Sequence, residues 1–363
     1  MRHPRPDVDG LTALLFGTAL GDSLGLPFEG LPPRAVARRL GSRPLGHRLI
    51  FGRGLLSDDT EHAVLVAQAF LASRGDPARF TAELARRLRW WFACLPPGVG
   101  MATAKACLRL WAGVPPARAG VASAGNGPCM RAPLLGALIP SDHEARRRLV
   151  DASSRLTHRD ARALDAARFI ARLAAEATLH GPQALAPAPV RQALDDEAQT
   201  PDVRDAVLRA VDDLDTGIPP AEAMRRCGGP SGVSGFVLQT VPAVVVAVLA
   251  EPRSPLAAIE LCVRAGGDTD STAALAGAVT GAAAAMPVAL PDDLLAGIVD
   301  RPLNPEFLRR LAERLAASVA ERADPIPLPW MMLPPRNMAM LMIVLAHGFG
   351  RLVPRPGSGS VPP

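Results

Sequence analysis

The chain has 363 residues, 48% of them hydrophobic, enough for one large domain or two ordinary ones. Its formal charge of +5 comes from arginine, Lys105 being the single lysine. The basic residues are scattered among acids, as in Glu144-Ala145-Arg146-Arg147-Arg148, which reads as a solvated surface and excludes a concentrated nucleic-acid footprint.

Cys94, Cys107, Cys129, Cys227 and Cys262 are odd in number and widely spaced, with no Cys-x-x-Cys. That favours reduced thiols and a cytoplasmic location over a disulfide framework or zinc knuckle. Met1 to Pro6 lacks the apolar core of a signal peptide, and the apolar run from Met338 to Ala346 is too short to span a bilayer. No membrane contact is expected.

Residues 1–9 are expected to be flexible. Leu11, Leu14, Leu15, Thr18 and Ala19 then recur at helical spacing. This first helix carries Gly17, Gly21 and Gly25 on one face, each costing roughly 1 kcal/mol against alanine. Close approach of another helix or a ligand would offset that. Ala63, Val64, Ala67, Phe70 and Leu71 predict a second helix, and residues 78–93, 142–153, 159–180, 201–214, 235–250, 270–286 and 305–323 predict more. Breaks fall at Pro32-Pro33, Pro96-Pro97-Gly98, Pro115-Pro116 and Gly228-Gly229-Pro230. No strand alternation is present, so the fold class is all-α. A main domain is expected over residues 10–300, then a proline-rich helical extension over 301–352 with one short apolar helix, Asn337 to Phe349. A disordered tail is expected over 353–363. Met331, Met332, Met338, Met340 and Met342 make the extension a flexible apolar surface, packed on the main domain or offered to a partner.

Two acidic clusters each open an alanine-rich helix: Ser57-Asp58-Asp59-Thr60 and Asp268-Thr269-Asp270-Ser271. Carboxylates in a first turn are stabilised by the helix dipole, and Asp58 with Glu61 has capping-box character. Yet two adjacent carboxylates exceed what one cap needs, and Gly266-Gly267 lets the backbone fold tightly before Asp268. The donors are oxygen only, which suits magnesium, manganese or calcium rather than zinc. Between the clusters, Gly125-Asn126-Gly127-Pro128-Cys129-Met130-Arg131 reads either as an ordinary loop-to-helix turn or as an anion-binding helix start. Arg131 meets a phosphate or closes an internal salt bridge. His158, His62 and His347 read as structural from the residues alone.

Taken in order, Gly21-Asp22-Ser23-Leu24-Gly25-Leu26-Pro27-Phe28-Glu29, Ser57-Asp58-Asp59-Thr60, Gly125 to Arg131, Thr157-His158 and Gly266-Gly267-Asp268-Thr269-Asp270-Ser271 resemble the motifs of the ADP-ribosylglycohydrolase family, which includes the dinitrogenase-reductase-activating glycohydrolases. The resemblance implies a compact, orthogonal multi-helix fold with a metal cleft holding two divalent cations, Mg2+ or Mn2+. It implies Ser57, Asp58, Asp59, Asp268, Asp270 and Ser271 as metal ligands, with Asp22 supporting them from behind. Glu29, with Asp59 and Asp270, would form the catalytic set, Glu29 as acid/base. Gly98, Gly100, Asn126, Gly127, Met130, Arg131 and His158 would contact substrate, and Gly235-Phe236 would lie near the adenosine end.

The implied activity is metal-dependent hydrolysis of an ADP-ribosyl glycosidic or ester bond on a protein side chain or small conjugate, releasing ADP-ribose. The expected partner is therefore an ADP-ribose-containing substrate, and a monomer is expected. Gly98 stands where the nitrogenase-regulating branch has its proposed catalytic aspartate, which weakens transfer of that branch's arginine-directed mechanism. A non-catalytic ADP-ribose-binding module and a structural protein retaining the fold are the alternatives.

Overall fold

A computed structural model describes residues 7–284, 290–318 and 323–350. Proline starts many of its helices, because a fixed φ and a missing N–H suit the first helical position. The helices run α1 (Val8–Gly25), α2 (Pro33–Leu40), α3 (Asp58–Ser73), α4 (Pro77–Ala93), α5 (Met101–Trp111), α6 (Pro116–Ala119), α7 (Gly127–Met130) and α8 (Ala132–Leu138). They continue with α9 (His143–Arg155), α10 (Ala161–His180), α11 (Pro187–Glu197), α12 (Pro201–Asp215), α13 (Pro220–Cys227) and α14 (Val237–Ala250). The last are α15 (Pro255–Ala265), α16 (Thr269–Ala283), α17 (Asp292–Gly297), α18 (Pro305–Ser318) and α19 (Leu333–Gly350). Among the described residues the only extended pairing is isolated bridges, so the all-α expectation holds. The prolines read as breaks at Pro33 and Pro116 are helix starts.

The axis of the structure is the antiparallel pair α1 and α16, buried along nearly their whole lengths. Their small residues interlock face to face. A Cβ on Gly17 would lie 2.0 Å from the Gly277 carbonyl oxygen, on Gly21 2.2 Å from that of Ala273, and on Gly25 2.5 Å from that of Thr269. Gly281 meets the Ala13 carbonyl in the same way. The glycines of the first helix thus answer to another helix, and the backbones touch where side chains would hold them apart. Val8–Phe28 is long and apolar enough to cross a membrane, with mean hydropathy 1.3, but its apolar window is wholly buried inside the protein. Helices α3, α8, α10, α14, α15 and α18 pack around the pair.

Several boundaries differ from those the sequence predicts. Helix α1 begins at Val8 with Asp7 as its N-terminal cap position, so residues 8 and 9 are helical, not flexible. Helix α14 starts two residues later than expected; α18 is described as far as Ser318, and residues 319–322 of the expected helix lie outside the described residues. The break at 300 separates nothing: Phe307, Leu308, Leu311 and Leu315 of α18 are buried, and α18 packs on α1 and α3. The segment before α19 is pinned by Gln68, whose amide donates to the Ile326 carbonyl (2.8 Å) and accepts from its N–H (2.9 Å). Of the tail expected over 353–363, and of residues 1–6, all lie outside the described residues. The five cysteines are free thiols, four of them buried.

Gly21→Ala tests the central contact. Alanine is the better helix former by about 1 kcal/mol, but overpacking against the Ala273 backbone costs about 1–3 kcal/mol. A net loss is expected as a lower urea midpoint. Gly10→Ala in the same helix meets nothing within 4 Å and is expected to raise the midpoint.

Candidate functional site

Because α1 and α16 are antiparallel, the C-terminal end of one lies beside the N-terminal end of the other. That places Asp22 and the Leu26–Phe28 turn leading to Glu29 next to Asp268, Asp270 and Ser271. The turn at 266–268 is held from two sides. Gly30 N–H donates to the Gly267 carbonyl (2.8 Å), Gly267 N–H to Leu31, and Asp268 N–H to Val233 (2.6 Å). Gly267 has φ +82°, and a Cβ there would fall 2.0 Å from the Val233 oxygen, so only glycine fits.

Helix α3 brings the other cluster. Ser57 caps it, and the Asp22 carboxylate fastens it to α1: it accepts from Ser57 N–H (3.0 Å), Thr60 N–H (3.2 Å) and the Thr60 hydroxyl (2.5 Å). Burial pushes the Asp22 pKa up to about 6, against the pull of these donated hydrogen bonds. The two clusters meet at Asp59, whose Oδ2 accepts from Ser271 Oγ (3.1 Å) and Ser57 Oγ (3.5 Å). Asp268 Oδ2 accepts from Asn126 Nδ2 (2.7 Å), and Asn126 is itself positioned by pairing of 124–126 with 235–237.

The electrostatics are those of crowded carboxylates. Burial first, and then mutual repulsion, raises Asp58, Asp59 and Asp270 well above the ordinary range. Asp59 Oδ1 and Asp270 Oδ1 are buried with no hydrogen-bond partner. Buried acceptors without partners are rare, and here they belong to adjacent acids that share one need, a positive charge. Among the described residues no three Asp, Glu, His or Cys side chains converge on a single point. The donors present are carboxylate and hydroxyl oxygens, and the two unpartnered carboxylate oxygens are of the kind a hard cation such as magnesium takes.

These groups open on a cleft of about 550 Å³. Of the residues singled out by sequence, Glu29, Asp58, Gly98, Gly100, Asn126, Gly127, Met130, His158, Asp268, Asp270 and Ser271 line it. Ser57, Asp59 and Asp22 stand behind its wall. Glu29 is solvent-exposed at the edge, and its charge acts on both Asp58 and Asp270.

Arg131 is a correction. It does not reach the cleft but is fully buried. Its guanidinium donates to Ser153 Oγ (3.0 Å), the Ser153 carbonyl (3.3 Å) and Thr157 Oγ1 (2.7 Å), and sits 3.3 Å from His62 Nδ1. It braces the Thr157-His158 step from within. The loop before it leads into a helix of only four residues, and Asn126 points its amide at Asp268. Phe236 faces a neighbouring cavity, with the Arg162 guanidinium 5.6 Å from its ring centre.

Sequence reasoning missed Thr103, Ser123 and the Ser231 to Ser234 stretch, all of which line the cleft. The last follows the Gly228-Gly229-Pro230 break and carries no titratable group, so a search for acids and bases passes over it.

His158 is buried, with Nδ1 2.9 Å from Thr157 Oγ1; burial and nearby Arg131 pull its pKa down to about 3. It is therefore neutral at the cleft wall. The folded state binds fewer protons here than the unfolded state between that value and about 6.5, so stability is full above the upper limit and lost as pH falls. His158→Gln is expected to flatten the acid side of the stability–pH curve by up to about 1.4 kcal/mol per pH unit, read from urea unfolding of parent and variant across pH 4–7.

Comparison with known proteins bears on the family and the fold. The family model described as ADP-ribosylglycohydrolase matches residues 5–325. An uncharacterized protein of Archaeoglobus fulgidus is 30% identical over 319 residues, covering 83% of this chain and 94% of its own. A solved structure described as an ADP-ribosylglycohydrolase-related protein complex matches with TM-score 0.62 at 29% identity, over 86% of this chain and 98% of that one. The family match runs past the boundary at 300 and takes in α18, in keeping with its packing. The chain belongs to the ADP-ribosylglycohydrolase family, a family of hydrolases acting on ADP-ribose conjugates.

Proposed function

We propose that this cleft cleaves an ADP-ribosyl bond at the anomeric carbon of the distal ribose, with magnesium or manganese as cofactor, and releases ADP-ribose. The observation that carries the reading is one cavity lined at once by Glu29, by Asp58 of the first acidic cluster, by Asp268, Asp270 and Ser271 of the second, and by Asn126, Gly127 and His158. Its volume of about 550 Å³ is that of a small-molecule site.

Such bonds break through an oxocarbenium-like state, so positive charge develops at the anomeric carbon. Asp58, Asp59, Asp268 and Asp270, with the Ser57 and Ser271 hydroxyls, would hold two divalent cations. Bound there, the cations supply orientation of the ribose hydroxyls and activation of water. Glu29, exposed beside Asp58 and Asp270, takes the proton from the attacking water as general base. Asp22 keeps the start of α3 in register, and Asn126 orients Asp268. His158, held neutral, adds no positive charge beside the developing cation.

A second reading rests on Gly98, which lines the cleft at φ +78° with nothing within 4 Å of where a Cβ would stand. The space beside it is open, the positive φ strains any side chain placed there, and the position carries no carboxylate. The chain then binds ADP-ribose without turnover. Purified protein with magnesium or manganese, offered ADP-ribosyl-arginine, ADP-ribosyl-serine, O-acetyl-ADP-ribose and modified nucleic acid, separates the two. Release of ADP-ribose from any member supports hydrolysis; tight ADP-ribose binding with no release supports the binder and ends the hydrolase reading.

Glu29→Gln is expected to lower kcat by about 10²–10⁴-fold, with ADP-ribose affinity changed only a few-fold by calorimetry. For the cations, saturation at about 100 times Kd stabilises a folded protein by about 2.7 kcal/mol. Manganese is therefore expected to raise the parent's Tm, and Asp270→Asn to abolish that rise.

A further inference from the structure

The C-terminal helix α19 lies beyond the family-matched residues, yet one of its side chains runs to the back of the first acidic cluster. Arg336 donates through Nη1 to Glu61 Oε1 (2.5 Å) and through Nη2 to the Leu56 carbonyl (2.5 Å). It also grips Asp300 with two nitrogens, Nε to Oδ1 at 3.2 Å and Nη2 to Oδ2. Asp300 in turn accepts from Leu56 N–H at 3.0 Å. Both polar backbone groups of Leu56 are thus held by one guanidinium–carboxylate pair. The next residue is Ser57, whose N–H is fixed by Asp22. Glu61, one turn into α3, is held on its other oxygen by Trp91 Nε1 at 2.6 Å. The three side chains are all at least seven-eighths buried: Arg336 is 12% exposed, Glu61 6% and Asp300 0%.

The helix that carries Arg336 is itself anchored. Asn337 Nδ2 donates to the Cys94 carbonyl (2.8 Å), Met340 packs with Leu26 and Leu49, and His347 Nε2 lies 3.2 Å from the Pro27 carbonyl. Its contacts therefore bear on both segments that feed the cleft, 56–61 and the turn before Glu29. None of these C-terminal residues lines the cleft.

We propose that Arg336 is a positioning residue for the acidic site: from outside the cleft it fixes Leu56 and Glu61, and so sets the line of Ser57, Asp58 and Asp59 toward Asp270 and Ser271. This rests on the reading of the cleft as a cation-assisted ADP-ribosyl hydrolase. A planar, five-donor guanidinium can satisfy Leu56, Glu61 and Asp300 together, which a lysine ammonium on its longer, flexible stem cannot hold in one geometry.

The test compares the full chain with Arg336→Lys and Asp300→Asn by amide hydrogen exchange and by manganese titration. Exchange across residues 55–61 is expected to rise about tenfold or more in both variants while α10 stays protected, and the manganese Kd is expected to rise by about ten- to a hundredfold, the range for supporting residues of metal sites. In turnover, kcat is expected to fall further than KM rises. Unchanged exchange at 55–61, or acceleration spread evenly over the whole chain, overturns the proposal. If the parent binds no manganese, the hydrolase reading fails, and the exchange pattern alone decides the role of Arg336.

Discussion

Helices α1 and α16 meet where glycines replace side chains and backbone touches backbone. Everything in the cleft depends on it. Two helices separated by an ordinary layer of leucines would sit 8–10 Å apart. Here Thr269 Oγ1 donates to the Gly25 carbonyl at 2.9 Å, and the acids at the two helix ends are brought beside the start of α3. The glycines lower helix propensity, and the contact they permit offsets it.

That contact creates an electrostatic debt, because it gathers Asp22, Asp59 and Asp270, all buried, with Asp58 and Asp268, half-buried at the cleft wall. The fold answers part of it with neutral donors: Asn126, the Ser57 and Ser271 hydroxyls, and the backbone N–H groups on Asp22. It leaves Asp59 Oδ1 and Asp270 Oδ1 without partners. Hydrogen bonds share the charge around but do not neutralise it. A site built this way gains most from a ligand that carries positive charge.

Much of this was legible in the sequence, for physical reasons. The spacing of Gly17, Gly21 and Gly25 required something close against one helix face, and the paired acids required a counter-charge. Helical period and strong helix formers gave the all-α class. What stayed hidden were features set by three-dimensional burial. Arg131 sits in a motif beside cleft residues, but its direction is fixed by Ser153 and Thr157, which sequence distance does not reveal. The Ser231 to Ser234 stretch lines the cleft through backbone and hydroxyls alone. The division at 300 followed a rise in proline, whereas burial of Phe307, Leu308 and Leu311 joins α18 to the core.

The sequence separation of the central pair also bears on how the protein is made. Helix α1 and its partner are 244 residues apart at the Thr269–Gly25 contact. At about 5–20 residues per second, synthesis leaves α1 waiting on the order of ten to fifty seconds for α16. Throughout that interval the glycine face of this apolar segment lacks its native partner, although α3 and α8 are made earlier. The native cleft, which needs the ends of both helices, therefore forms only once α16 has been made.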